Sequence, residues 1–280
     1  MEISNLYAEI FSIIFENLNI SDILNLTRVN RLFYDYIHNH KWTIGFIEIK
    51  NNNNNIQIIN ILSKFRFKHI CFSSIISFRI PLFLDFINNC KTVSFNDIQT
   101  YYLSEIDKEN SLDFEKLAQV ENLTFSYVDI SGSWFRLFKN CRSIKFSNTH
   151  INMLHISAIN TLKLDYLCFE NCVFEENILE QLKIPSLKEF SINTDMESEA
   201  IIYLYQNSPN IVKLELLYMI TVCETGFIPE FKNLKSLTIM YSDFGKFEVY
   251  YLNKCLKLEY LKIISNNIDL NGLNLPKLII

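Results

Sequence analysis

Residues 164–169 read LDYLCF, with apolar side chains at Leu164, Leu167 and Phe169 and a different set of residues between them. The same figure, apolar-x-x-apolar-x-apolar, also begins at Ile44, Phe67, Cys90, Val120, Cys141, Leu187, Ile211, Leu234 and Leu258. Successive starts lie 23, 23, 30, 21, 23, 23, 24, 23 and 24 residues apart, a regularity well beyond chance alternation. Side chains along an extended segment point alternately to opposite faces. The fourth and sixth positions therefore share one face, and the third and fifth share the other. Each copy predicts one short strand, which buries its apolar face only when its neighbours stack beside it. The single spacing of 30 predicts an insertion of about seven residues in the span 97–119. Asp107, Glu109, Asp113 and Glu115 mark that span as a solvated loop with a short helix. Between the strands, PLFLDFINN (81–89), GSWFRLFKN (132–140) and AIIYLYQN (200–207) read as short helices closing on Asn. The Asn51–Asn55 run reads as a loop.

Both the period and the motif resemble those of leucine-rich repeats. The resemblance implies an α/β solenoid over 44–280, of about ten repeats, with a parallel concave sheet and short convex helices and loops. Cys172, Pro185, Pro209 and Cys255, in the turns around the strands, resemble the cysteine-containing repeats of F-box leucine-rich proteins. Cys172 takes the Asn/Cys ladder position of such a repeat. Pro276-Lys-Leu278 matches Pro185-Ser-Leu187, so the last residues read as the start of an eleventh strand.

Ahead of the repeats, residues 6–42 read as three short helices. Ile10, Ile13, Ile14 and Leu18 form one helical stripe, and Ser21-Asp22 is a helix start. Val29, Leu32, Phe33, Tyr36 and Ile37 form a second stripe. Three helices of this length bury little surface alone, so the unit needs the rest of the chain or a partner. The stretch LYAEIFSIIFENLNISDILNLTRVNRLFYDYIHNHKW resembles an F-box, through Leu6, Glu9, Ile10, Ile14, Leu18, Asp22, Leu24, Leu26, Val29, Asn30, Phe33 and Trp42. Tyr7 stands where that family usually has Pro, a residue that in family terms touches the adaptor. The resemblance implies an F-box over 1–43 that docks a Skp-type adaptor, and through it a cullin. Its adaptor-binding residues would be Leu6, Glu9, Ile10, Ile14, Leu18, Leu24, Val29, Asn30, Phe33 and Trp42.

Composition narrows the function further. Lys and Arg total 26 against 31 Asp and Glu, a net charge of −5, which argues against nucleic acid or an anionic membrane as partner. Five Gly are too few for a phosphate cradle. Seven scattered cysteines do not form an even secreted framework, so reduced thiols in cytosol or nucleus are the expectation. Glu2 and Glu9 argue against a basic secretory leader, and no apolar run is long enough to span a membrane. The 40 Ile and 32 Asn suit an AT-rich genome, such as that of an amoeba or a giant virus.

No catalytic constellation emerges. His38-Asn39-His40 closes a helix without a metal-binding hairpin, and Cys168 and Cys172 lack a second ligand pair. Neither Walker loop, GxSxG nor dinucleotide fingerprint occurs, so no enzyme, cofactor or metal is expected. The candidate surface is the concave face. Its middle repeats present small polar residues (Thr92, Ser94, Asn96, Asn122, Thr124, Ser126, Ser143, Lys145, Ser147). The C-terminal repeats present Tyr166, Glu170, Glu189, Lys213, Glu215, Leu217, Met240, Tyr260, Lys262 and Ile264. Aromatic residues and Met are enriched at interfaces, which places the expected target contacts there. The function expected is target recognition for a Skp–cullin–F-box ubiquitin ligase. The alternative is a non-enzymatic scaffold or viral decoy that binds proteins without delivering them.

Overall fold

The computed structural model describes residues 43–50, 66–74, 87, 90–98, 119–128, 138–194, 200–220 and 222–277, and in the N-terminal segment residues 10, 13, 14, 18, 22, 25, 26 and 28. The chain forms two compact units, one of residues 1–130 with 137–140, the other of 131–136 with 141–280.

In the first unit each motif becomes a strand: β1 (Thr43–Lys50), β2 (Arg66–Ser73), β3 (Thr92–Asn96) and β4 (Asn122–Ser126). They lie side by side in chain order and all run parallel. The pairing Ile44↔Phe67 and Ile70↔Val93 steps by one 23-residue repeat, whereas Val93↔Leu123 steps by 30 with no slip in register. Alternation decides what is buried. Ile70, Phe72, Val93, Phe95, Leu123 and Phe125 face the core, and Phe95 stacks on Phe72 at 5.6 Å and on Phe125 at 5.4 Å between ring centroids. Burying each ring contributes roughly 1.5–3 kcal/mol.

The second unit repeats the scheme with β5 (Ser143–Ser147), β7 (Tyr166–Glu170), β9 (Glu189–Asn193), β10 (Lys213–Met219), β11 (Ser236–Phe244) and β12 (Tyr260–Ile268). These too are adjacent and parallel, in chain order. A separate parallel pair, β6 (His150–Ile151) and β8 (Val173–Phe174), joins two of the return segments. Among the described residues four α-helices close the core: α1 (Met153–Ile159), α2 (Ala200–Asn207), α3 (Val222–Phe227) and α4 (Lys246–Leu252). Helix α2 covers the sequence-predicted 200–207. Of the other two predicted helices, Ile87 is helical and Lys139–Asn140 form a turn, while most of both lies outside the described residues. Phe169 stacks on Phe146 at 5.6 Å and meets Phe190 edge-on at 6.2 Å, and buried His155 meets the Phe146 ring edge-on at 6.4 Å. One strand per repeat, parallel and in constant register but for one slip between β10 and β11, fits a leucine-rich-repeat-like architecture in each unit.

Two devices couple successive repeats. The first follows β2, β3, β4, β5 and β7. Ser74, Asp97, Tyr127, Asn148 and Asn171 all take left-handed backbone, with φ between 50° and 54°. This conformation suits Asn and Asp better than other side chains. The same residues reach along the sheet: the Ser74, Asp97, Asn148 and Asn171 N–H groups each donate at 2.9 Å to the carbonyl that ends the following strand. The second device ends a helix. At the close of α1, Asn160 Nδ2 donates to the Gln181 carbonyl, and the Lys183 N–H donates to Asn160 Oδ1, both at 2.7 Å. After α4, Asn253 does the same with the Gly272 carbonyl at 2.8 Å and the Asn274 N–H at 2.7 Å. Each Asn amide thus stands in for a backbone unit between one return segment and the next.

The cysteines of these repeats are structural. Cys141 Sγ donates to the Ser143 carbonyl at 3.3 Å, and Cys90 Sγ to the Thr92 carbonyl at 3.0 Å, in each case the first residue of the strand that follows. Cys172 is buried with Sγ 3.6 Å from the Glu170 carbonyl, within its own repeat. Burial pushes the Cys141 and Cys255 thiols up to about 12.

Candidate functional site

The face of the second unit's sheet that points away from the core is a grid fixed by strand register. One row crosses the strands as Ser143, Tyr166, Glu189, Lys213, Ser236 and Tyr260. The next reads Lys145, Cys168, Ser191, Glu215, Thr238 and Lys262. A third begins Ser147, Glu170, Asn193 and ends with Met240 beside Ile264. Leu217 falls where β10 slips against β11, between Leu216 and Met219, so the strand carries extra residues there. The core-side positions are filled by the leucines, isoleucines and phenylalanines of the motif, so the grid's larger side chains are not needed there.

Charge on the grid is mostly paired. Lys145 meets Glu170 at 2.8 Å, and Ser147 Oγ donates to the same carboxylate at 2.8 Å. The lysine and the serine hydroxyl hold the Glu170 carboxyl below its usual range, and bonding to Glu170 raises the Lys145 ammonium. Lys213 meets Glu215 at 3.0 Å and Glu189 at 4.0 Å, and its pKa rises through the bond to Glu215. Burial, then hydrogen bonding with Cys168, pushes the Tyr166 phenol up, so it stays a neutral donor. All these pairs are partly exposed and contribute little to stability; they arrange the surface rather than hold the fold.

Of the target-face residues expected from sequence, all nine (Tyr166, Glu189, Lys213, Glu215, Leu217, Met240, Tyr260, Lys262 and Ile264) lie on these six strands. Tyr260 is 50% exposed and Ile264 38%, whereas Tyr166, Leu217 and Met240 are half-buried. Lys213, Glu215, Leu217, Ser236, Thr238, Tyr260 and Lys262 together line one shallow depression of about 420 Å³. Ser236 and Thr238 were not singled out in the sequence, although they sit at the same motif positions as Lys213 and Glu215. The signal was there in the alternation but not in the residue type. Cys168 shares the outer parity yet is buried.

In the first unit the corresponding face carries Phe46, His69, Thr92 and Asn122, then Glu48, Cys71, Ser94 and Thr124. His69 Nε2 lies 2.7 Å from Ser94 Oγ, and its ring meets Phe46 edge-on at 5.0 Å. Small hydroxyl and amide residues dominate, offering few anchors. At the N-terminus, Ile10 and Ile14 are helical and exposed, and Leu18 is half-buried in a bend. Leu6, Glu9, Leu24, Val29, Asn30, Phe33 and Trp42 lie outside the described residues. Among the described residues, no group of His, Cys, Asp or Glu is placed to hold a metal ion, and no helix is long and apolar enough to cross a membrane.

No protein-family model matches the chain, and no curated protein is significantly similar to it. Among solved structures, the chain is similar to an internalin from Listeria monocytogenes, at 12% identity over 84% of this chain and 79% of that one, with a TM-score of 0.43. A chain of the Toll–Spatzle complex of Drosophila is similar at 7% identity over 79% of this chain and 40% of that one, with a TM-score of 0.42. Nothing about function is taken from likenesses of this size.

Proposed function

We propose that the chain is a non-catalytic recognition subunit: its repeats hold a target protein on the outer grid of β7 and β9–β12, and residues 6–42 tether it, as an F-box, to a Skp-type adaptor and a cullin. One observation carries the reading. The grid is a broad surface whose side chains, Tyr166, Leu217, Met240, Tyr260 and Ile264 among charged pairs, are not consumed by the core. Aromatic and large apolar groups within a polar surround are what protein interfaces are built from. Ile10, Ile13 and Ile14, exposed in helical backbone at the spacing of one stripe, support the adaptor half of the proposal. The subunit itself would do no chemistry. Tethering raises the effective concentration of target lysines near a ubiquitin-conjugating enzyme. Such a subunit would work in the cytoplasm or nucleus, of a host cell if the gene is viral.

Tyr7, in place of the family's Pro, favours a second reading, a scaffold that binds a target without an adaptor. A pull-down with purified Skp adaptor separates the two. Binding by the full chain that is lost in a Leu6→Ala/Ile10→Ala double variant supports the ligase subunit. A folded chain that does not bind the adaptor refutes the adaptor half and leaves the scaffold.

A further inference from the structure

The depression on β10–β12 has a chemistry of its own, and reading it deepens the proposal above, on which it rests. Three lysines stand on the grid. Lys145 is bound to Glu170, and Lys213 to Glu215 and Glu189. Lys262, exposed on β12, meets no carboxylate among the described residues. Its register neighbour is Thr238, and the next positions back along the strands are Ser236 and Tyr260. The depression therefore offers one uncompensated ammonium flanked by hydroxyls, while its one carboxylate, Glu215, is already taken up by Lys213. Two residues further along the strands the surface turns apolar at Leu217, Met240 and Ile264. That step is about 6.6 Å in an extended chain.

We infer that the depression binds an extended protein segment that presents a carboxylate to Lys262 and, two residues away, a large apolar side chain to Met240 and Ile264. Charge complementarity names the occupant. A nucleic acid would need a run of cations, and this depression has a single unpaired one in a chain of net charge −5. The spacing names its conformation: strand-like segments place alternate side chains on one side at the same step as the grid beneath them.

A displayed library of random twelve-residue peptides, panned against the full chain, tests this. The expected result is enrichment of Asp or Glu two positions from Leu, Ile, Met or Phe. A fluorescein-labelled peptide of that pattern should bind about ten-fold more weakly to a Lys262→Glu variant, be restored by Lys262→Arg, and bind the Lys262→Glu variant again when its acid is replaced by Lys. Enriched peptides without an acid, or affinity within two-fold in Lys262→Glu, would overturn the inference. If Met240→Glu still abolishes capture in that case, the grid remains the recognition face and only the ligand class falls. If the folded wild-type chain enriches no peptide, or if capture ignores both variants, the inference and the grid reading fall together.

Discussion

Replacing Asn160 by Asp changes one atom type and tests whether the amide joins successive repeats. The wild-type side chain donates to the Gln181 carbonyl and accepts from the Lys183 N–H, each at 2.7 Å. The carboxylate keeps the acceptor but turns its other oxygen toward a carbonyl oxygen, losing one hydrogen bond, about 1 kcal/mol, and adding repulsion. A net loss of about 1.4 kcal/mol at neutral pH is expected, the free energy of one pKa unit. Linkage then demands a signature. The neutral carboxylic acid can donate to Gln181 again, so the introduced group titrates about one unit higher in the folded chain than in the unfolded one, near pH 5 against about 3.9. A raised folded pKa means that stability is present below the unfolded value and lost as pH rises through the folded one. The gap to wild type should therefore be widest above about pH 6 and close toward about pH 3. Asn160→Ala loses both bonds, about 1–3 kcal/mol, and its gap should not move with pH. Urea unfolding of the three proteins between pH 3 and 7 reads all of this from midpoints at constant m. A variant as stable as wild type, or a gap that does not close in acid, would refute the clamp.

Three further outcomes follow from the turns and the thiols. Tyr127 holds the left-handed position that Asn and Asp occupy in neighbouring repeats, and its ring is 62% exposed, so little packing is lost on truncation. Tyr127→Asn should raise stability by about 0.5 kcal/mol, and Asn171→Ala should lower it by about 1 kcal/mol, measured by thermal unfolding; the opposite signs would show that those residues do not set the turn. Cys141 has its thiol raised from 9.0 to about 12 by burial, so the unfolded chain ionises first. Its contribution is intact below about pH 9 and lost as pH rises toward 12, up to about 4 kcal/mol. Cys141→Ala should flatten the alkaline fall of the unfolding midpoint, and an unchanged slope would sink the assignment.

The motif made most of the sheet legible, because a period of two inside a period of 23 is a direct statement of which side chains are core. Leu164, Leu167 and Phe169 do bury as one set, and β3 and β4 keep register across a 30-residue spacing. Less of what lies between strands could be read. Asn160 and Asn253 look like ordinary helix-ending residues, and their forward bonds depend on where the next return segment passes. The β6–β8 pair is two residues long, below any periodic signal. The bulge in β10 leaves no trace, since Leu214, Leu216 and Tyr218 alternate perfectly and are all buried. On the grid, alternation located the site but residue type misjudged its floor: Ser236 and Thr238 drew no attention because hydroxyls look inert until a cation stands beside them.

Constant register also has a consequence for heredity. From Ile144 through Leu167, Phe190, Leu214 and Leu237 to Leu261, each strand meets the next at the same motif position. Excision of Lys188–Ile211 would join Leu187 to Val212 in phase and bring β7 against β10 with apolar still facing apolar. Unequal crossing-over between gene segments can thus add or drop a strand without the frustration that a one-residue slip would bring. Such a lineage could lengthen or shorten its binding surface in whole steps, each step arriving with a fresh column of side chains for selection to try.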